Sequence, residues 1–183
     1  MSKGATRTNK SVALKGLPPN VQTIPFDFVL PIPATGLTFA TKAVAKVPKG
    51  NWALLTAVSN VIIQDVQGSG LAANFTGAYG FGTDFLTNTT LTLRKRDIVG
   101  LTGAGVTYLA AAGITPKTRG TIALTADAAL DANGIVQNGN PILYDNTAGA
   151  LNMNFNMTIT TLAAAIVRVR GQLNLIHAIL GDG

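Results

Sequence analysis

The sequence predicts an all-β protein: an antiparallel β-sandwich, jelly-roll-like, with an extended basic N-terminal arm. Three observations predict it. Charged residues make up only 12% of the 183-residue chain, and all eight acids are aspartates. Glutamate and lysine favour exposed helices, whereas Thr fits pleated strands and Asn and Gly fit turns, so a surface built from Thr, Asn, Gly and Ala is a strand-and-turn surface. Short apolar/polar alternations recur along the chain, separated by Gly- and Asn-rich turn signals. No segment carries an amphipathic helical period, and no repeat of the length used by solenoids is present. Regularly spaced short strands of this kind make sandwiches or barrels, among them the jelly roll.

Taken in order, residues 1–20 are polar, basic and unpatterned, ending in "GLPPN", and read as a flexible or extended arm ordered where a partner holds it. "VQTIPFDFVLPIPAT" (21–35) sets three prolines among large apolar residues. Proline is excluded from central strands, so this is an extended segment or edge strand docked on something apolar. "LTFATKAVAKV" (37–47) reads as a half-exposed strand, with Leu37, Phe39, Thr41, Ala43, Ala45 and Val47 on one face and Lys42 and Lys46 on the other. After the turn "PKGN" and Trp52 come "WALLTAVSNVIIQDVQ", "LAANFTGAYGFG", "TNTTLTLRKRD", "VTYLAAAGI" and "TIALTA" as strand candidates. A long polar connection from Asp127 then leads to "ILYD", "ALNMNFNMTITT" and 166–180. "ITTLAAAIV" is the one place with a competing helical turn. The chain therefore divides into a basic arm with an edge strand, 1–50, and a sandwich body, 51–183.

Charge follows the same division. Residues 1–50 hold seven basic side chains against Asp27 alone, and the remaining residues carry seven of each sign, so the whole net charge of +6 lies in the first segment. With no cysteine and one histidine, His/Cys metal sites, disulfide scaffolds and Cys–His catalysis are excluded. A Ser–His–Asp triad would need His177 as its base, and no serine stands in G-x-S-x-G. Asp84 and Asp127 sit beside turns, but nothing marks an acid–base pair. "GAYGFGTD" and "GLTGAG" match no phosphate-cradling spacing and read as tight turns. The expectation is a protein without enzymatic activity or cofactor. There is no apolar stretch behind the basic N-terminus, and the longest apolar runs fall far short of about 20 residues, so neither export nor membrane insertion is expected.

Two groups of residues are candidates for contact. The arm offers Lys3, Arg7, Lys10 and Lys15, then Pro25, Phe26, Phe28, Pro31 and Pro33, an extended segment suited to lying along a partner or clamping a neighbouring subunit. Arg94, Lys95 and Arg96 in "LRKRD" form the densest basic cluster. They serve either as a charged contact or as the solvated end of a strand with Asp97 offsetting one charge. No aromatic residues interleave with them, which argues against single-stranded nucleic acid.

The body resembles the small β-sandwich decoration (cement) proteins that coat tailed-bacteriophage heads. "NVIIQDVQ" is similar to an early strand of that family, and "ANFTGAYGFGTD" resembles its turn where an aromatic strand meets a Gly–Thr–Asp corner. "GLTGAGVTYLAAAG", "TIALTADAAL" and "IVRVRGQLNLIHAILGD" follow in the expected order, across 52–183. The resemblance implies a structural virion protein on the outer surface of a phage head, made in the host cytoplasm. It would bind across seams of the major capsid protein and associate with copies of itself as a trimer or dimer. The long connection at 127–148 departs from the family, which carries no catalytic or ligand residues to transfer. Two other classes remain open. One is a carbohydrate-binding or host-attachment module, which needs clustered aromatics where Trp52, Tyr79, Tyr108 and Tyr144 are scattered. The other is a protein binding nucleic acid through its basic arm.

Parity sorts the last strand, 166–180. Val167, Val169, Gly171, Leu173, Leu175, His177 and Ile179 face inward, with His177 a hydrogen-bonded structural histidine, while Arg168, Arg170, Gln172 and Asn174 face out. Past Asn174 the outward residues Ile176, Ala178 and Leu180 turn apolar. Cover by the N-terminal segment or by another subunit is therefore expected there.

Overall fold

The computed structural model describes residues 20–33, 35–47, 49–66, 77–102, 107–109, 120–122 and 142–181. The described residues form ten strands: β1 (Asn20–Ile32), β2 (Gly36–Val47), β3 (Gly50–Asp65), β4 (Gly77–Gly82), β5 (Val99–Thr102), β6 (Thr107–Leu109), β7 (Gly120–Ile122), β8 (Ile142–Asn146), β9 (Leu151–Thr161) and β10 (Ala165–Gly181). They make two sheets. The first runs β1-β10-β3, with β6, β7 and β8 all on the far edge of β3; the second runs β2-β9-β4-β5.

The pairing is nested. β1 pairs with β10, β2 with β9, β3 with β8 and β4 with β5, each antiparallel, and successive pairs fall in alternate sheets. One long hairpin wrapped around itself in this way is a jelly roll. Three short strands line the far edge of β3: β8 lies against Gly50–Leu54, β7 against Ser59–Val61, and β6, running parallel, against Ile62–Gln64. "ITTLAAAIV" is no helix. β9 ends at Thr161, three residues cross between sheets, and β10 begins at Ala165.

The strand at 21–33 is β1, at the edge of the first sheet. Ile24, Phe26, Leu30 and Ile32 point into the core, and Pro25, Asp27, Val29 and Pro31 point out. Both strand prolines are odd-numbered, so both turn a nitrogen without N–H to the same side. That side is the open edge, because proline cannot give a ladder bond to β10.

β2 corrects the parity read for 37–47. Thr38 and Ala40 are buried while Leu37 is exposed, the reverse of the expected faces. A bulge between Ala43 and Ala45 changes the register against β9, and from there Val47 faces in and Lys46 out, as the alternation predicts. A second bulge, where Leu55 drops out of register opposite Ile176 and His177, lets Trp52 and Leu54 face the same core as Ala57 and Ser59.

Between the sheets, Phe26 from β1, Phe81 and Tyr79 from β4 and Phe155 from β9 form one aromatic cluster with ring centroids 5.4–6.4 Å apart. The Tyr79 hydroxyl is buried and shares a 2.9 Å hydrogen bond with Ser59; desolvation pushes its pKa up to about 12. Gly171 on β10 has a φ of 154° and sits under the Phe26 ring, where a Cβ would meet the Asn60 carbonyl oxygen.

Candidate assembly surfaces

The outer face of the second sheet is not a solvent face. β9 alternates Met153, Phe155, Met157 and Ile159 toward the core with Asn154, Asn156 and Thr158 on the other side, yet both sets are buried. What covers the polar set is the connection between β4 and β5, residues 83–98, folded back over the sheet. Asn156 holds it. Its Nδ2 donates to the carbonyl oxygens of Asp84 (2.9 Å) and Lys95 (2.7 Å), and its Oδ1 accepts from the Leu86 N–H (3.0 Å) and the Thr41 hydroxyl (2.6 Å). A carboxamide has two donors and two acceptor positions, and here all are used.

The glycines of "GAYGFG" make room for this cover. Tyr79 and Phe81 point inward, so Gly80 and Gly82 point outward, beneath residues 94–96. A Cβ on Gly82 would overlap the Lys95 and Arg94 backbone, and one on Gly80 would overlap Arg96. They are strand glycines that allow close backbone approach, not the tight turns read from the sequence.

The neck of the connection is closed by Asp97, whose carboxylate accepts from the Thr83 N–H (2.9 Å) and the Thr83 hydroxyl (2.8 Å). Asp84 N–H donates to the Arg94 carbonyl and Ile98 N–H to that of Phe81. Burial raises the Asp97 pKa to about 6, with the Thr83 hydrogen bonds opposing the shift. Asp97 thus faces inward and does not offset the basic cluster at the surface. That cluster corrects another expectation: Leu93–Lys95 is a 3-10 turn, not a strand end. Arg94 is exposed, and Lys95 and Arg96 are half-buried.

The outer face of the first sheet is open, and it has two ends. Toward the C-terminal end of β1, Arg168 grips Asp27 with two hydrogen bonds, Nε to Oδ1 at 2.6 Å and Nη2 to Oδ2 at 2.5 Å. That contact holds the Asp27 pKa below its usual value. Both partners are solvent-exposed, so the pair fixes geometry more than it stabilises. Beside it run Arg170, Gln172, and Asn174 bonded to Thr23.

Toward the other end, where β1 begins, the face becomes apolar. Val21 is 75% exposed, Leu143 68% and Leu180 44%, with Leu55 and Val58 also exposed. Ile179, expected to face inward, keeps that side opposite Trp52 but is exposed, because β10 runs out past the core there. A groove of about 300 Å³ opens here, lined by Asn51, Trp52, Leu143, Tyr144, Asp145 and Leu180. The described residues leave Ile179 and Leu180 uncovered, so the cover expected over this end of β10 does not come from them.

Of the aromatic residues taken as scattered, Trp52 and Tyr144 come together at this groove with ring centroids 5.0 Å apart, and His177 lies 5.5 Å from Trp52 on its other contact. Trp52 is buried and so gives no exposed stacking plate, while the Tyr144 hydroxyl donates to the Asp97 carbonyl oxygen at 3.3 Å. His177 is buried as expected. Its Nδ1, however, has no hydrogen-bond partner, and desolvation lowers its pKa. Among the described residues no three His, Cys, Asp or Glu side chains gather as a metal site.

The contact candidates distribute as follows. Phe26 is buried and Phe28 half-buried in the chain's own core, 5.9 Å apart, so their rings are committed to the sandwich. Pro25, Pro31 and Pro33 are exposed along the edge. Lys3, Arg7, Lys10 and Lys15 lie outside the described residues, as does the connection from Asp127. The Asn156 latch was missed, because a buried polar row and a solvated one have the same alternation. Glycine at every second position of an aromatic strand was the available signal for the cover.

No protein-family model matches the chain, and no curated protein matches it in sequence. Among solved structures, one described as Desmodium yellow mottle tymovirus is similar at a TM-score of 0.26 and 13% identity, over 90% of this chain and 91% of that one. The assignment of the fold rests on the strand order alone.

Proposed function

We propose that the chain is a structural virion protein, a subunit of a protein shell that works through its surfaces. The observation that carries this reading is the uneven charge of the chain. A jelly roll with an open sheet face follows, in sequence, a segment (residues 1–19) that holds Lys3, Arg7, Lys10 and Lys15 and no acid. Jelly rolls recur in viral shells and in lectins, which is an analogy of fold; the charge polarity is what favours the shell over the sugar.

Two positions in a virion follow from different observations. The sequence resemblance across 52–183 supports decoration: a subunit on the outside of a bacteriophage head, bound across major capsid protein subunits and stabilised by many weak contacts along the lattice. The strand order together with the basic segment favours a position in the shell wall itself, with residues 1–19 turned toward packaged nucleic acid and neutralising its phosphates.

One experiment tests both. The purified full chain is incubated alone, with nucleic acid, and with emptied phage heads, and the products are imaged and treated with nuclease. Closed particles that protect nucleic acid support the wall position. Saturable, regularly spaced binding to emptied heads supports decoration. A chain that stays monomeric under every condition and binds no head contradicts the structural virion reading.

A further inference from the structure

We infer that the apolar groove at the start of the first sheet is the docking site for residues 12–17 of this same chain, the segment "VALKGL". The groove and its surroundings expose Val21, Leu143 and Leu180, with Asn51, Trp52, Tyr144 and Asp145 forming the rest of the lining.

The chain enters the sandwich at this place. Asn20, the first described residue of β1, pairs with His177, and Val21 pairs with Ile176. One residue further along β10, Ala178 pairs with Ala53, which pairs with Leu143 on β8. Leu143 is therefore three strand spacings and one residue from Asn20, about 15 Å. Leu14 precedes Asn20 by six residues and reaches about 20 Å when extended. The segment has the matching chemistry: Val12, Leu14 and Leu17 are its apolar side chains, and Lys15 stands among them as Asp145 stands on the groove rim. Asp145 is exposed, its carboxylate held to Thr147 by bonds of 2.6 and 3.0 Å. Covalent attachment gives the segment an effective concentration in the millimolar range, so modest apolar contact is enough to hold it.

Docking here supplies cover for Leu180, the member of the apolar run Ile176, Ala178 and Leu180 that is exposed. The inference does not depend on the virion reading, because it concerns the single chain.

The chain has no cysteine, so crosslinking is clean. The test is oxidation of the full chain carrying Leu14→Cys and Leu143→Cys, compared with Leu14→Cys and Gln172→Cys. Gln172 is exposed and polar, and its partner Pro25 lies five residues down β1 from Asn20, which puts it at a similar distance, about 18 Å, away from the groove. Neither exposed position lies in the core, and unchanged thermal unfolding of the reduced variants verifies that both fold. The expected result is a crosslink at monomer mass forming about tenfold faster for the Leu143 pair. Equal rates for the two pairs overturn the inference. So does a product of the Leu143 pair found only at dimer mass, which assigns the groove to a second copy.

Discussion

Asn156 is the residue on which the second sheet's covered face depends. Removing its carboxamide strands the Leu86 N–H and two carbonyl oxygens beneath the cover, and each buried unsatisfied group costs on the order of 1–3 kcal/mol. Asn156→Ala is expected to lower stability by about 3 kcal/mol in denaturant titration. It is also expected to speed tryptic cleavage after Arg94, Lys95 and Arg96, because the connection loses its latch; unchanged cleavage contradicts that role. Asp97 gives a pH signature. Its folded pKa, about 6, lies above the ordinary 3.8, so the folded state binds its proton more tightly than the unfolded chain does. The stabilisation is full below pH 4 and is lost as pH rises through 6, amounting to roughly 3 kcal/mol over two pH units. Asp97→Asn keeps an acceptor for the Thr83 N–H and removes the charge. Its stability difference from the parent chain is expected to grow from pH 4 to pH 7 in the variant's favour. A constant difference contradicts a buried, titrating carboxylate.

At the scale of elements, the two bulges and the covering connection explain what the sequence disclosed and what it hid. The alternation in β10 was legible because Val167 to Leu175 keeps one parity throughout, and the structure buries Val167, Val169, Leu173 and Leu175 as expected, with Gly171 half-buried between them. β2 was misread at Leu37 because the bulge at 43–45 moves side chains between faces without disturbing the apolar pattern. The cover over β9 was hidden for a related reason: Asn156 looks like a solvent-facing residue until a neighbour 70 residues away satisfies it. The edge of β1 carries its own prediction. Pro25 and Pro31 interrupt the row of donors that would otherwise invite another strand. Replacing both with Val is expected to leave the monomer folded and to raise its aggregation rate, measured by light scattering at fixed concentration. No change in that rate would falsify the protective role.

The whole molecule is asymmetric in charge and in cover. One sheet is covered along β4 and β9 by residues 83–98, the other is open, ion-paired toward one end and apolar at the other, and the net positive charge lies in the first fifty residues. Such a body offers faces to partners. Its all-β build and its uneven charge were legible from composition, through low charge content, Thr/Asn surfaces and the basic segment. The open apolar end required the register of β1, β10, β3 and β8 to bring Val21, Leu143 and Leu180 together from distant positions. The central claim, a structural virion subunit, is tested most directly by quantitative mass spectrometry of particles purified from the source. The account predicts this chain in many copies per genome and in a fixed ratio to the other shell proteins. Its absence from the particles, or a trace amount varying between preparations, contradicts the account.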